Sequence, residues 1–227
     1  MHGENEESTL QKIFLTIIHL LSVLAAGWIL FGNGMTIISD WFNTAWKVGD
    51  YYRRVIILSF SIIYFIRLNF TTFYLTRRKI GWEEVIPVSL LLILCHIGFS
   101  ILGGVKAISL GIIDFMSIIL YLFGSYLNTG SELMRHKWKQ KPENMDRIYT
   151  EGLFKWSMHI NYFGDTVLFF AFALITRSIW AFIIPFVMTM GFIFIHIPIL
   201  DKYLEEKYGT QFDDYAKRTK KFIPFIY

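Results

Sequence analysis

Long apolar runs follow one another along this chain: Leu10–Phe31, Val55–Leu75, Val85–Leu102, Ala107–Leu127 and Gly152–Leu200. A helix of about 20 residues crosses the roughly 30 Å hydrocarbon core of a bilayer. Within lipid, a helix satisfies its own backbone polar groups, which an isolated strand cannot do. The last run is too long for one crossing, and Arg177-Ser178 divides it into a helical hairpin. The pattern predicts an all-α fold, a polytopic transmembrane helical bundle of about six to seven spans. Composition agrees: 54% of residues are hydrophobic and 18% charged, against about 25% charged in soluble domains. Gly32-Asn33-Gly34 ends the first run, and the amphipathic stretch Met35–Val48, with Trp41 and Trp46, follows it. That stretch reads either as an interfacial helix or as part of a re-entrant segment.

These runs predict a cytosolic N-terminal tail over residues 1–9 and a single transmembrane domain over 10–227, with a cofactor region at 128–227. The acidic, polar start, Met1 to Thr9, lacks the basic opening of a signal peptide, so Leu10–Phe31 is expected to be retained as a span. The lone Cys95 cannot form an internal disulfide. The formal charge of +4 gathers between spans, in Arg77-Arg78-Lys79, in Asn128–Thr150 and in Asp201–Lys221. This clustering indicates orientation and anionic-ligand binding, with no nucleic-acid partner. With six spans the three clusters share one side, which the positive-inside rule makes cytosolic. The expected location is the inner (cytoplasmic) membrane with the C-terminus cytosolic. Arg53 and Arg54 fall on the opposite side. Nothing in the pattern sets an oligomeric state.

Polar residues inside spans need a partner or a task. Tyr64, Arg67, Thr71 and Tyr74 recur at helical spacing and share one face. That face can hold an anionic or polar ligand, or Arg67 can pair with a buried carboxylate such as Asp114. His19 and His96 read as core histidines. Beyond the fourth run, Asn128, Ser131, Glu132, Arg135 and Lys139 share a face that offers an amide, a hydroxyl, a carboxylate and two cations. Such a set can hydrogen-bond a ribose or a base and hold phosphates, but it also matches an ordinary charged helix end. The densest polar and aromatic segment is Gly152–Asp165, in which Ser157, His159, Asn161, Tyr162 and Asp165 fall within nine residues. His159 and Asp165 are six apart and do not share a helix face, which argues against a local dyad. No Cys/His cluster suggests a metal, and no Gly-rich phosphate loop is present.

The segment Gly152-Leu-Phe…His159-Ile-Asn161-Tyr162-Phe-Gly164-Asp165 resembles a motif of the steroid 5α-reductase-like family. The tail from Leu200 to Tyr227, with Tyr208-Gly, Tyr215 and Phe-Ile-Pro-Phe-Ile-Tyr, is similar to that family's C-terminus. Asn128…Ser131-Glu132 and Lys141-Pro142 resemble its preceding helix, and Arg67…Arg77-Arg78…Glu83-Glu84 an earlier block of its bacterial branch. The resemblance implies a bundle of about seven helices with NADPH in a cytosol-facing cavity and an apolar small-molecule or lipid substrate entering from the membrane lipids. The implied reaction is reduction of a carbon–carbon double bond conjugated to a ketone in a lipid or steroid-like enone. By the same resemblance Asn128, Glu132, Asn161 and Asp165 would hydrogen-bond the cofactor, and Arg67, Arg135 and Lys139 would meet its phosphates or ribose. Ser131, His159 and Tyr162 complete the expected cofactor-binding set, and Tyr64 would be the carbonyl-polarising phenol.

The sequence also departs from that pattern. No Gln-Glu pair, the steroid-reducing enzymes' proton-donating element, occurs between Met1 and Tyr64. Asp165 stands where Glu is usual, Glu132 where Asp is usual, and Met158 and Ile160 where Arg and Pro are common. His159, Tyr162 and Gly164 are also compatible with the isoprenylcysteine carboxyl methyltransferase pattern, which would imply S-adenosylmethionine. A non-catalytic lipid-binding relative is a third reading.

Overall fold

The computed structural model describes residues 8–76 and 78–227, and every regular element among them is helical. The expected N-terminal tail is thus described only from Ser8 onward, and Arg77 of the first basic cluster also lies outside the described residues. The helices are α1 (Thr9–Phe31), α2 (Gly34–Trp41), α3 (Tyr51–Leu75), α4 (Trp82–Gly104), α5 (Ile112–Lys139), α6 (Ile160–Ile175), α7 (Ile179–Tyr208) and α8 (Thr210–Arg218). Five of them, α1, α3, α4, α5 and α7, are long and apolar enough to cross a membrane, and α6 is a shorter apolar helix. The protein is an integral membrane protein built as a polytopic helical bundle.

Two compact units divide the chain. The first runs to Ser117 and adds Phe172–Phe182; the second comprises Ile118–Ala171 and Ile183–Tyr227.

In the first unit α1 packs chiefly on α4, then on α3. Its buried residues Leu15, His19, Ser22, Val23, Ala26, Ile29 and Leu30 fall at three- and four-residue steps, one face of a helix. Ile17, Leu20, Leu21 and Leu24 on the other side are about half exposed. A helix apolar on every side that shows such residues outward is facing lipid. Small residues allow the close approaches: a Cβ on Gly104 would come within 2.7 Å of Met35 Cε. The α3 start is capped by Asp50, whose carboxylate accepts from the Arg53 backbone N–H at 2.8 Å. The amphipathic stretch after the first span forms the short α2. Its Met35 and Ile38 pack with Ile29, Trp46, Ile97 and Ile101, and at eight residues it is too short to span.

Arg53 and Asp114 are both buried in this unit and form an ion pair. Arg177 adds a second pairing to Asp114, Nη2 to Oδ2 at 2.8 Å, and the Gly111 N–H donates to the same oxygen at 2.8 Å. Arg53 also donates to the carbonyls of Ile175 and Ile108 at 2.7 and 2.9 Å. The hydrogen bond to Asp114 pushes the Arg177 guanidinium pKa above its ordinary value. Asp114 is therefore the counter-ion of Arg53 and Arg177 and not of Arg67, for which the sequence offers it as one of two alternatives. Arg54 is tied down as well, donating to the Leu30 carbonyl at 2.6 Å and lying 5.1 Å from the Phe31 ring centroid. The two arginines that sat on the unexpected side of the span count are thus both bound to the helix ends around them.

In the second unit the core gathers Leu127, Leu153, Phe154, Met158, Ile160, Phe212 and Tyr215. The fourth apolar run does not stop where its hydropathy falls. α5 continues through a π-helical turn at Tyr126–Gly130 to Lys139, so the polar residues from Asn128 onward extend the same helix. Helix-forming Glu, Leu, Met, Arg and Lys carry it past the apolar end. α6 begins at Ile160, and the Gly152–Lys155 part of the polar segment is a short 3-10 turn. Gly209, with φ +51°, ends α7 and turns the chain into α8. A Cβ there would touch nothing within 4 Å, so the positive φ alone favours glycine.

Candidate functional site

The polar site of the second unit grows from a place where α5 and α6 touch backbone to backbone. A Cβ on Gly164 would come 2.5 Å from the Asn128 backbone nitrogen and 2.8 Å from the Gly124 carbonyl oxygen. One on Gly124 would come 2.6 Å from the Gly164 carbonyl oxygen. No side chain fits such a crossing, and small residues are how membrane helices achieve it. One turn along each helix from this contact stand Asn128 and Asn161.

The Asn128 side chain donates to the Asn161 carbonyl at 3.1 Å, and the Asn161 side chain donates to Glu132 Oε1 at 2.9 Å. Glu132 Oε2 accepts from Arg135, whose guanidinium lies 5.9 Å from the Phe154 ring centroid. A ladder of amide, amide, carboxylate and guanidinium thus joins α5 to α6. Asp165 follows Asn161 by one turn on α6 and is half-buried. The buried Ser131 hydroxyl donates to the Asn128 carbonyl at 2.8 Å, within its own helix.

A pocket opens beside the ladder, lined by Arg135, Lys139, His159, Asn161, Tyr149 and Tyr208 among others. Lys139 donates to the Arg147 carbonyl and, at 3.0 Å, to the Tyr208 hydroxyl. Its ammonium sits 5.0 Å from the Tyr208 ring centroid, close enough for a cation–π contact. His159 is buried, and its Nε2 lies 2.7 Å from Asp201 Oδ1 on α7. Lys221 pairs with the other oxygen of Asp201 at 2.9 Å. The backbone N–H groups of Met158 and His159 donate to the Lys220 and Lys221 carbonyls at 2.8 and 3.1 Å. The Ser157 hydroxyl donates to the Phe222 carbonyl at 2.8 Å. The C-terminal segment is therefore fastened over the polar loop. Tyr162 stacks between His159 (5.9 Å) and Phe192 (4.7 Å). The Tyr215 hydroxyl donates to the Phe154 carbonyl at 2.6 Å, and burial raises its pKa, so it stays a donor.

Nine of the eleven site residues expected from sequence thus share the second unit. Asn128, Glu132, Asn161 and Arg135 are in one hydrogen-bonded ladder, and Lys139 and His159 line the adjoining pocket. Asp201, Tyr208 and Lys221 also lie in this region, and the sequence singles out none of them individually, although the tail that carries them is similar to the family's. A carboxylate 42 residues from its histidine leaves no local signal.

Tyr64 and Arg67 belong to the first unit, on α3. Arg67 Cζ is 5.6 Å from the Tyr64 ring centroid, as their spacing predicts. The Tyr64 ring is 5.5 Å from His19 and 6.3 Å from His96. Among the described residues no group of His, Cys, Asp and Glu is placed to hold a metal ion.

Comparison with known proteins places residues 86–219 in a match to the family described as "Protein of unknown function (DUF1295)". That stretch includes every site residue of the second unit that sequence reasoning named. The chain is 29% identical over 112 residues to 3-oxo-5-alpha-steroid 4-dehydrogenase 2 of Mus musculus, covering 49% of this chain and 42% of that protein. It is 33% identical over 109 residues to 3-oxo-5-alpha-steroid 4-dehydrogenase 1 of Bos taurus, covering 47% of this chain and 40% of that protein. The alignment thus spans less than half the length of these curated relatives.

Proposed function

We propose that this chain, which belongs to the DUF1295 family and is steroid 5α-reductase-like, is a membrane-embedded NADPH-dependent reductase of an apolar lipid or steroid-like enone. The observation that carries the proposal is the Asn128–Asn161–Glu132–Arg135 ladder opening on a pocket that also holds Lys139. The donor set suits a phosphorylated dinucleotide. Amides and a carboxylate match ribose hydroxyls and a carboxamide, two cations match phosphates, and the Tyr149 and Tyr208 rings give a base something to lie against. Asp165 stands one turn beyond Asn161 on α6, and Tyr162 stacks on His159 beside them. Ser131 and His159 serve it indirectly, one by securing the π turn and the other by holding α7 and the C-terminal segment in place.

Bound NADPH would supply the hydride for the β-carbon of the conjugated double bond. On this reading Tyr64 would donate a hydrogen bond to the substrate carbonyl oxygen, where negative charge would develop, and a proton from water would complete the reduction at the α-carbon. Arg67, one turn away, stabilises the electron-rich phenol oxygen by its charge. The orientation that fits this reading has the C-terminal half facing the cytosol of an inner membrane.

Titration of the detergent-purified protein with NADPH, followed by nicotinamide fluorescence, is expected to saturate. Asn161→Ala and Arg135→Ala are each expected to weaken binding at least tenfold, about 1.4 kcal/mol. Saturable S-adenosylmethionine binding with no response to NADPH would replace this reading with a methyltransferase. Binding of neither would leave a non-catalytic lipid-binding protein. In a second measurement, Tyr64→Phe is expected to keep wild-type NADPH affinity and lose enone-dependent NADPH oxidation at least a hundredfold. Unchanged oxidation in that variant removes Tyr64 from the chemistry.

A further inference from the structure

We infer that the buried chain His19–His96–Ser61 is a hydrogen-bonding site for the carbonyl oxygen of an apolar ligand, with His19 Nδ1 as the contacting atom. The three residues come from α1, α4 and α3 of the first unit. His19 Nε2 lies 2.9 Å from His96 Nε2, and His96 Nδ1 lies 3.0 Å from the Ser61 hydroxyl. The imidazoles stack at 4.9 Å, and all three residues are fully buried.

Two neutral imidazoles joined through their Nε2 atoms hold one proton between them, so each must be a definite tautomer. In one arrangement His19 donates to His96, and His96 donates to Ser61 from Nδ1. In the other, Ser61 donates to His96 Nδ1 and His96 donates to His19, which places the His19 proton on Nδ1. The first arrangement leaves His19 Nδ1 a buried lone pair, and the second leaves it a buried N–H donor. Among the described residues this atom has no hydrogen-bond partner. A buried polar atom without a partner is uncommon and costly, and an apolar residue would fill a purely structural position on α1 at lower cost.

The surroundings select the ligand. Leu15 and Leu92 pack nearby with Tyr64 and Leu68 at their margin, and the Phe65 ring meets His19 edge-on at 5.1 Å. Apolar neighbours around an unmet polar atom suit a largely hydrocarbon molecule that brings a polar contact to this place. Tyr64, whose ring centroid lies 5.5 Å from that of His19, is only half-buried, so a molecule that reaches Tyr64 is close to the His19 ring. The second tautomeric arrangement presents a donor, and a carbonyl is its complement. This site deepens the enone reading and rests on it for the substrate class.

The test uses the full chain labelled with 15N-histidine, in lipid nanodiscs, titrated with 4-cholesten-3-one and in parallel with the hydrocarbon 4-cholestene, without NADPH. The ketone is expected to shift one imidazole nitrogen resonance saturably, a resonance missing from His19→Gln, and the hydrocarbon is expected to leave it in place. His19→Leu is expected to weaken ketone binding at least tenfold. Absence of a ketone-specific histidine shift in the wild-type protein overturns the inference, whether or not the variant folds. Because no cofactor is present, a histidine response with no NADPH binding refutes the reductase alone. Intact NADPH binding with a silent histidine refutes this site alone.

Discussion

Gly164→Leu is expected to abolish saturable NADPH binding and to destabilise the protein by roughly 3 kcal/mol, the upper part of the range for overpacking a tight contact. Even the first added carbon would lie 2.5 Å from the Asn128 backbone nitrogen and 2.8 Å from the Gly124 carbonyl oxygen. Both obstacles are backbone of a facing helix, which cannot rotate aside as a side chain does. α5 and α6 would have to separate, and the Asn128–Asn161 and Asn161–Glu132 bonds, at 3.1 and 2.9 Å, have no slack to absorb that. Gly164→Ala is expected to fail in the same direction, less severely. Gly191→Ala, on α7, is the control, because its Cβ would meet nothing within 4 Å. A helical Gly→Ala exchange in open space is neutral or gains up to about 1 kcal/mol. NADPH titration and thermal denaturation of the three variants check this. Wild-type affinity in Gly164→Leu would mean that the ladder does not hold the cofactor.

The Gly164 contact shows where sequence reading succeeds and stops. Each apolar run carries a helix, and the last carries two, α6 and α7, because run length against bilayer thickness is a strong constraint that needs no tertiary information. The ends of those helices were less legible. α5 outlasts its apolar run by twelve residues, to Lys139, since helix propensity and hydropathy are separate properties and only the second falls at Asn128. In the site, periodicity put Glu132 and Arg135 on one face, where they pair, and put Arg67 against Tyr64. The α5–α6 bonds came within reach only through the resemblance of two separate motifs. Contacts made by single residues far apart in the chain left no trace. His19 and His96, 77 residues apart, each read alone as an ordinary core histidine. Asp114 had three arginines to choose from, and spacing could not say that Arg53 and Arg177 would take it.

That choice sets the second large expectation: Asp114→Ala is expected to cost roughly 3–5 kcal/mol, the range for removing one partner of a buried ion pair. Arg53 and Asp114 are almost wholly inaccessible, so the guanidinium left behind would keep only the carbonyls of Ile175 and Ile108. Arg177, partly exposed, can turn toward water, so most of the cost falls on Arg53. Asp114→Asn retains an acceptor but no charge and is expected to fall between wild type and alanine. The double variant Arg53→Met/Asp114→Leu separates the loss of attraction from the burial of an unmatched charge. It is expected to recover at least half of the Asp114→Ala loss, because apolar replacement of a whole buried pair is often neutral or better. Thermal denaturation in detergent and the yield of monodisperse protein measure all three. Because the pair lies in the first unit, NADPH affinity of the folded fraction is expected to stay within twofold of wild type. A double variant no more stable than Asp114→Ala would show that the ion pair itself, rather than relief of a stranded arginine, holds these helices together.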